Sequence, residues 1–153
     1  MLDVGKEKSI QAGYKEGSFN WICGDAESLP FEENHFDLYT IAFGIRNCTH
    51  VEKVLQEAFR VLKPRSRFLC LEFSHVKNPV LSKLYDLYSF QVIPVMGQLI
   101  ANDWHSYQYL VESICQFPNQ NEFAAMINEA GFKSVKYDNY NNGIVSVHVG
   151  YKI

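Results

Sequence analysis

The sequence has no cluster of basic residues, cysteines or histidines of the kind that identifies a particular class of protein. It carries 14 lysines and arginines against 17 aspartates and glutamates, a net charge of −3, with no cluster of basic residues. Nucleic-acid phosphates are bound by clustered basic surfaces, so no nucleic-acid partner is expected. The four cysteines form no C-x-x-C pair, and the five histidines show no H-x-x-x-H or H-E-x-x-H spacing. We therefore expect reduced thiols and no metal site.

Long apolar runs are also missing. The most hydrophobic stretch, residues 90–101, is interrupted by Pro94 and Gly97 and is too short to cross a bilayer. Charged residues begin at Asp3, so no secretory signal peptide is expected. No G-x-G-x-x-G motif occurs, which weakens the interpretation of the chain as an NAD-dependent Rossmann enzyme.

What is present is an alternation of strand-like and helix-like segments. With 153 residues, 47% of them hydrophobic, the chain is large enough for a single domain over residues 1–153 with a real core. Residues 36–43 form an apolar run without strict alternation, as in a parallel strand covered on both faces. The other predicted elements are a short helix ending at Gly13, strands at 18–23 and 67–73, a helix from Thr49 to Leu62, helical segments within 79–116 with a break at 94–97, a helix beginning near Asn119, and strands 134–140 and 144–152 joined by an Asn-Asn-Gly turn.

Local signals place several of these boundaries. Thr49 followed by Glu52 is a capping-box pattern at a helix start. Asn119 with Glu122 begins another helix, and Gly131 supplies its left-handed end. The order of elements indicates an α/β fold with a mainly parallel sheet and a carboxy-terminal antiparallel hairpin.

Two segments lie where such a fold binds ligands. In open α/β sheets the ligand sits beyond the carboxyl ends of the strands. Residues 24–26 follow the first predicted strand, and residues 43–47 follow the second. The sequence therefore predicts a site formed by these two loops.

The residues around these loops resemble the quinone-biosynthesis C-methyltransferases. The resemblance covers nearly the whole chain and is carried by GDAE (24–27), LPF (29–31), YTIAFGIRN (39–47), FLCLEFS (68–74), LYDLYSFQVIPVMG (84–97) and SYQYLVESI (106–114). It implies the class I S-adenosylmethionine-dependent methyltransferase (Rossmann-like) fold, with strand order 3-2-1-4-5-7-6. It also implies S-adenosyl-L-methionine as cofactor and C-methylation of a methoxy-polyprenyl-benzoquinol in ubiquinone biosynthesis, while the bacterial branch also methylates demethylmenaquinol.

Two features of the family are missing from the sequence. These are the glycine-rich turn after its first strand, which holds the methionine part of the cofactor, and the acidic residue after its second strand. The resemblance therefore implies an amino-terminally truncated domain that lacks the first two strands. We expect residues 38–43 to form an exposed parallel edge and residues 18–23 to have no partner. We also expect the isolated chain to bind the cofactor weakly or not at all; micromolar affinity by calorimetry would contradict this.

The resemblance assigns roles to four residues. Asp25 and the backbone amide of Ala26 would contact the cofactor adenine as acceptor and donor, although an aspartate after a strand is also common as a turn residue. Arg46 and Asn47 would carry catalysis. Because arginine stays protonated, we expect Arg46 to stabilise a phenolate or polarise a water, and Asn47 to orient that water or the hydroxyl. Without the family, Arg46 would be interpreted as a solvated or salt-bridged residue.

An aromatic-rich stretch offers walls for a lipophilic substrate, although aromatic residues at helical spacing also form cores. Its members are Tyr85, Tyr88, Phe90, Trp104, Tyr107 and Tyr109. The resemblance further implies a peripheral location on the matrix side of the mitochondrial inner membrane, and membership of a multi-subunit ubiquinone-synthesis complex or a homodimer. The alternative function is a catalytically inactive truncated form that serves as an interaction subunit of such a complex.

Overall fold

The structure, a computed structural model, describes residues 2–15, 17–76, 93–96, 98–99 and 102–153. Helices and strands alternate along most of the chain, as the apolar patterns predict. In chain order they are α1 (Leu2–Gln11), β1 (Phe36–Ala42), α2 (Val51–Val61), β2 (Leu62–Phe73), α3 (Ile93–Met96), α4 (Trp104–Gln116), α5 (Gln120–Glu129), β3 (Lys133–Tyr140) and β4 (Val145–Tyr151), with 3-10 turns at Ile45–Asn47 and Asn141–Gly143.

The described strands form one four-stranded sheet in the order β1-β2-β4-β3. β1 and β2 are parallel, with Ile41 opposite Cys70, while β4 is antiparallel to both of its neighbours. This order reproduces the 4-5-7-6 part of the arrangement that the resemblance implies. β1 lies at the edge and pairs only with β2 among the described residues, as expected for residues 38–43.

The core lies on one face of the sheet, under α2 and α5. α2 contributes Val54, Leu55 and Ala58, which are fully buried against Phe68 of β2 and Phe132. Within the described part of the chain the opposite face is less covered: Leu38, Thr40 and Ala42 of β1 are exposed. The prediction that this strand is covered on both faces is therefore wrong for the described residues, because the described helices that cover the sheet, α2 and α5, pack on the core side.

β4 turns its small and polar residues toward the core. Ser146, His148 and Gly150 are buried, whereas the intervening valines are half-buried. A Cβ at Gly150 would lie 3.0 Å from side-chain atoms of both Ile127 and Phe132, so α5 approaches the strand closely at this position. The valine side chains of β4 therefore lie on the more open face of the sheet.

The predicted strand at residues 18–23 is wrong. The segment is irregular and exposed, and Phe19, Trp21 and Ile22 retain 44%, 38% and 50% of their accessible surface. An isolated apolar segment becomes a strand only when its backbone groups find a partner strand, and no described strand lies beside it.

Two predicted boundaries also differ. Thr49 does not cap α2: the N-cap is His50, whose backbone amide is bound by the carboxylate of Glu27 instead. The predicted break at residues 94–97 overlaps the helical turn α3 at residues 94–96, since proline is tolerated in the first turn of a helix, and Gly97 lies outside the described residues. The helix at Asn119 is confirmed, with a full capping box to Glu122.

The hairpin and the ends of two other elements agree with the predictions. β3 and β4 are joined at Asn141–Gly143, and α1 is followed by Gly13, whose φ is +85°. Gly131, with a φ of +110°, follows α5. None of the described helices is long and apolar enough to span a bilayer.

Candidate functional site

The first loop of the predicted site is a tight turn that begins at Asp25. The Asp25 carbonyl accepts a hydrogen bond from the Ser28 amide (3.1 Å), and its carboxylate Oδ1 accepts one from the Glu27 amide (2.9 Å). The side chain therefore fulfils the turn role that aspartates often have. The Ala26 amide donates no hydrogen bond within the described residues, so it is available to a ligand.

Two acidic side chains fix this loop to α2. The Glu27 carboxylate accepts hydrogen bonds from the His50 backbone amide (2.8 Å) and ring Nδ1 (2.7 Å), which lower the pKa of Glu27. Glu57 on α2 accepts a hydrogen bond from the Leu29 amide (2.7 Å), and Arg60 donates to the Leu29 carbonyl (3.0 Å). The turn at Asp25 is thereby held against the start of the helix that follows the second loop.

The second loop begins with a strained residue. Phe43 has a φ of +53°, which is unfavourable for a bulky side chain. Its amide donates to the Leu71 carbonyl (2.9 Å), and its own carbonyl accepts a hydrogen bond from Nη1 of Arg46 (2.8 Å). The fully buried Ile45 anchors the 3-10 turn that carries Arg46 and Asn47. The strained residue Phe43 is therefore one of the residues that hold the Arg46 side chain in place.

Arg46 forms a buried ion pair with Glu72. Nη1 of Arg46 lies 2.7 Å from Oε1 of Glu72, and the two side chains are only 9% and 1% exposed. The guanidinium also lies 5.4 Å from the centre of the Phe73 ring. A buried pair of this kind fixes the orientation of the arginine, since breaking it would leave an uncompensated buried charge. Arg46 is therefore salt-bridged, and its partner is a residue that the sequence reasoning did not identify.

Three polar atoms around this pair have no partner among the described residues. Nε of Arg46, Oε2 of Glu72 and Oγ of Ser74 are buried and make no hydrogen bond within that part of the chain. Unpaired buried polar groups are costly, and they concentrate where a protein binds something. The signal for Glu72 in the sequence is an acidic residue within the apolar run LCLEF, a position where charge is seldom buried unless it is paired.

Two adjoining cavities open at this edge of the sheet. A cavity of about 500 Å³ is lined by Asp25, Ala26 and Asn47, and Cys48 and Thr49 form part of its wall. A second cavity of about 350 Å³ is lined by Arg46, Tyr109 and Glu112 and shares Cys48 and Thr49. The four predicted site residues are thus distributed over two neighbouring cavities on one side of the molecule.

The first cavity suits the adenosine end of S-adenosylmethionine. The free Ala26 amide is a donor for a ring nitrogen, and the Asp25 carboxylate is an acceptor for an exocyclic amine. The edge of an adenine ring carries one nitrogen that accepts a hydrogen bond and one amine that donates, so it requires one donor and one acceptor of this kind. No group of three or more potential metal ligands occurs among the described residues.

Only some of the aromatic residues predicted to line a substrate pocket lie among the described residues. Tyr109 lines the second cavity. Trp104 and Tyr107 are 38% and 36% exposed on α4 and do not line it. Tyr85, Tyr88 and Phe90 lie outside the described residues.

Two solved methyltransferases have a similar backbone. A S-adenosylmethionine-dependent methyltransferase from Aquifex aeolicus superposes with a TM-score of 0.64 at 15% identity, covering 100% of this chain and 64% of that one. Another from Thermotoga maritima gives 0.61 at 20% identity, covering 85% and 62%. At this level of identity the comparison shows the fold, a class I methyltransferase sheet with its helices.

Sequence relatives are far closer. The 2-methoxy-6-polyprenyl-1,4-benzoquinol methylase of Xenopus laevis mitochondria is 65% identical over 153 residues, covering 100% of this chain and 49% of the relative. The Homo sapiens mitochondrial enzyme of the same name is 62% identical and is covered over 46% of its length. The chain therefore spans about half the length of the curated relatives it matches.

A family model places the chain directly. The match extends over residues 1–152 and includes both loops of the site. S-adenosylmethionine is the cofactor indicated by this family together with the fold. By this match, the chain belongs to the ubiE/COQ5 methyltransferase family.

Proposed function

We propose that the protein carrying this sequence methylates a ring carbon of a methoxy-polyprenyl-benzoquinol in ubiquinone biosynthesis. The observation that supports this most directly is the pair of adjoining cavities, one lined by Asp25 and Ala26 and the other by Arg46. Their common wall at Cys48 and Thr49 brings a cofactor pocket and a substrate pocket into contact. The relatives named above are benzoquinol methylases, which gives the substrate class.

Each residue has a defined task in this proposal. S-adenosylmethionine, when bound, supplies an electrophilic methyl group. Asp25 and the Ala26 amide hold the adenine edge. Arg46 faces the second cavity with a permanent positive charge and stabilises the phenolate that makes the ring carbon electron-rich. Asn47 lies on the cofactor side of the same turn, where its amide orients the hydroxyl or a water.

Binding of the cofactor tests the assignment of Asp25. Asp25→Asn removes the carboxylate that accepts from the adenine amine, so the affinity for S-adenosylmethionine should fall about tenfold, or about 1.4 kcal/mol. Calorimetry on the protein carrying this sequence measures the effect. Asp3→Asn on α1, which lies outside both cavities, is the matched control. Equal affinity of wild type and Asp25→Asn would remove Asp25 from the cofactor site.

The proposal extends to location and partners. The named relatives are mitochondrial, and a polyprenyl substrate resides in a membrane, so we place the protein peripherally on the matrix side of the inner membrane. It would work there as a homodimer or within a multi-subunit ubiquinone-synthesis complex. Carbonate extraction of mitochondrial membranes, followed by native size analysis, tests both points. Recovery from another compartment would refute the location.

A non-catalytic interaction subunit is the second candidate. Among the described residues β1 is an edge strand with Leu38 46% exposed, which favours this candidate, since an apolar strand edge is a surface for association. Capture of the tagged protein from mitochondria distinguishes the two. Recovery of partners without methyl transfer favours the interaction subunit, whereas methyl transfer to a short-chain benzoquinol favours the enzyme.

A further inference from the structure

The proposed methylation requires a proton acceptor that the roles given above do not supply. The ring carbon becomes nucleophilic when a neighbouring hydroxyl loses its proton, and a phenol ordinarily holds that proton up to a pH of about 10. An arginine side chain offers only donors, and an asparagine amide has no basic atom, so neither Arg46 nor Asn47 accepts the proton. Under the proposed function, on which this inference rests, another side chain at the substrate cavity accepts the proton.

Most other groups at the substrate cavity are unsuitable. The Cys48 thiol has a raised pKa, chiefly because of burial and then because of Glu27 and Asp25, so it stays protonated near neutrality. Glu72 is paired with Arg46, its second oxygen is buried, and it is not among the residues that line this cavity. Among the described residues that line this cavity with Arg46, the remaining carboxylate is Glu112.

Glu112 is placed on a helix whose start is fixed. The Asp103 carboxylate caps α4 by accepting a hydrogen bond from the Ser106 amide (3.0 Å). Gln108, one turn before Glu112, donates its side-chain amide to Oε1 of Glu112 (2.7 Å). The described residues donate no hydrogen bond to Oε2. One carboxylate oxygen is thus oriented and the other is free to meet a ligand.

The surroundings of Glu112 match the needs of a proton acceptor. Arg46 lines the same cavity from the 3-10 turn, and Cys48 and Tyr109 are the other titratable groups on its wall. The positive charge of Arg46 stabilises the phenolate as it forms, which makes transfer to a carboxylate less unfavourable. Glu112 is also exposed, so it can pass the proton to solvent after each turnover.

We propose that Glu112 is the general base that removes the hydroxyl proton of the benzoquinol. In this step the phenolic O–H bond breaks, the proton goes to a carboxylate oxygen of Glu112, and the electron pair stays on the phenolate, delocalised into the ring. Nothing is oxidised or reduced, and the charge moves from the carboxylate to the phenolate beside Arg46. Glu112 then returns the proton to water.

The experiment combines a binding probe with turnover. 4-Nitrophenol, whose phenolate absorbs visible light, is titrated with pH in the presence of wild type and of Glu112→Gln. Removing the negative charge should lower the pKa of the bound probe by about 1 pH unit, since a like charge no longer opposes the phenolate. Methyl transfer to a short-chain benzoquinol should nevertheless fall about 100-fold or more.

These opposite effects separate a base from a neighbour that acts only through its charge or through packing. A mere electrostatic neighbour predicts equal or faster turnover in Glu112→Gln, because more phenolate is present. Glu112→Asp should recover part of the activity, and Glu52→Gln, at an exposed position of α2, should match wild type. An unchanged probe pKa, or turnover of Glu112→Gln within twofold of wild type, overturns the inference alone. Absence of methyl transfer by the wild type overturns the proposed function as well.

Discussion

At the scale of single residues, the site depends on contacts between residues far apart in the sequence. Arg46 is oriented by Glu72 from the next strand and by the carbonyl of Phe43, whose own backbone is strained. The resemblance identified Arg46, but no local pattern indicates that its side chain is buried and paired. Glu72 and Glu112 lie 26 and 66 positions after Arg46, so only the fold brings them near it.

The geometry of Arg46 leads to a prediction for Arg46→Lys. Lysine keeps the positive charge, but its ammonium has three donors against the five of a guanidinium, so bonds to Glu72 and Phe43 would leave one donor for the cavity. Turnover of a benzoquinol should fall about 100-fold, whereas S-adenosylmethionine affinity should stay within about threefold, because Arg46 does not line the cofactor cavity. Single-turnover kinetics and calorimetry measure the two effects. Turnover close to wild type would exclude Arg46 from the mechanism.

At the scale of elements, the structure departs from the sequence predictions where the conformation of a segment depends on contact with another segment. Residues 18–23 have the composition of a strand but pair with no described strand, and they are irregular. The sequence has a capping pattern that begins at Thr49. In the structure the N-cap of α2 is instead His50, whose backbone amide donates a hydrogen bond to the carboxylate of Glu27 in the preceding loop. By contrast, the capping box at Asn119 is satisfied by residues within three positions, and there the prediction is confirmed.

In the part of the chain that the structure describes, β1 is an edge strand, which leads to a prediction about association. Leu38 is 46% exposed on the edge strand, and a charge on such a strand opposes pairing with another chain. Leu38→Lys should therefore reduce self-association while it changes the free energy of unfolding by no more than about 0.5 kcal/mol. Light scattering against protein concentration measures the association.

A matched variant separates edge pairing from a general effect of charge. Val4→Lys replaces an aliphatic side chain of similar exposure, 53%, on α1 and away from the sheet. It should leave the concentration dependence as in wild type. Identical scattering from Leu38→Lys and wild type would show that this edge does not drive association.

At the scale of the whole molecule, a buried histidine joins α5 to the sheet. His148 is 1% exposed, its Nε2 donates to the Gln120 carbonyl (3.0 Å), and its Nδ1 lies 3.4 Å from the Ser146 hydroxyl. Burial lowers the pKa of His148, and the hydrogen bond to Gln120 only partly opposes this effect. The neutral ring is therefore the form that the fold accommodates.

This burial makes stability dependent on pH. Because the pKa of His148 is lower in the folded state, the unfolded chain binds the extra proton first as the pH falls below about 6.5. The free energy of unfolding should then decrease by at most about 1.4 kcal/mol per pH unit from this group, and should recover above that range. Urea unfolding between pH 5 and 8 measures it. His148→Gln should flatten the pH dependence of the free energy of unfolding. His105→Gln, at an exposed position of α4, should leave that dependence as in wild type. Equal slopes in wild type and both variants would contradict the assignment to His148.

The sequence by itself determined the elements whose signals are local, and it determined the family. The run at 36–43, the capping box at Asn119 and the turn at Asn141–Gly143 each depend on neighbours in the chain, and Asp25 and Arg46 lie in segments that carry the resemblance to the methyltransferase family. Tertiary structure alone decided which face of β4 is buried, that residues 18–23 remain irregular, and that Glu72 and Glu112 flank Arg46. Burial, strand pairing and ion pairing are made between distant segments, and their free energies exist only once those segments are packed together.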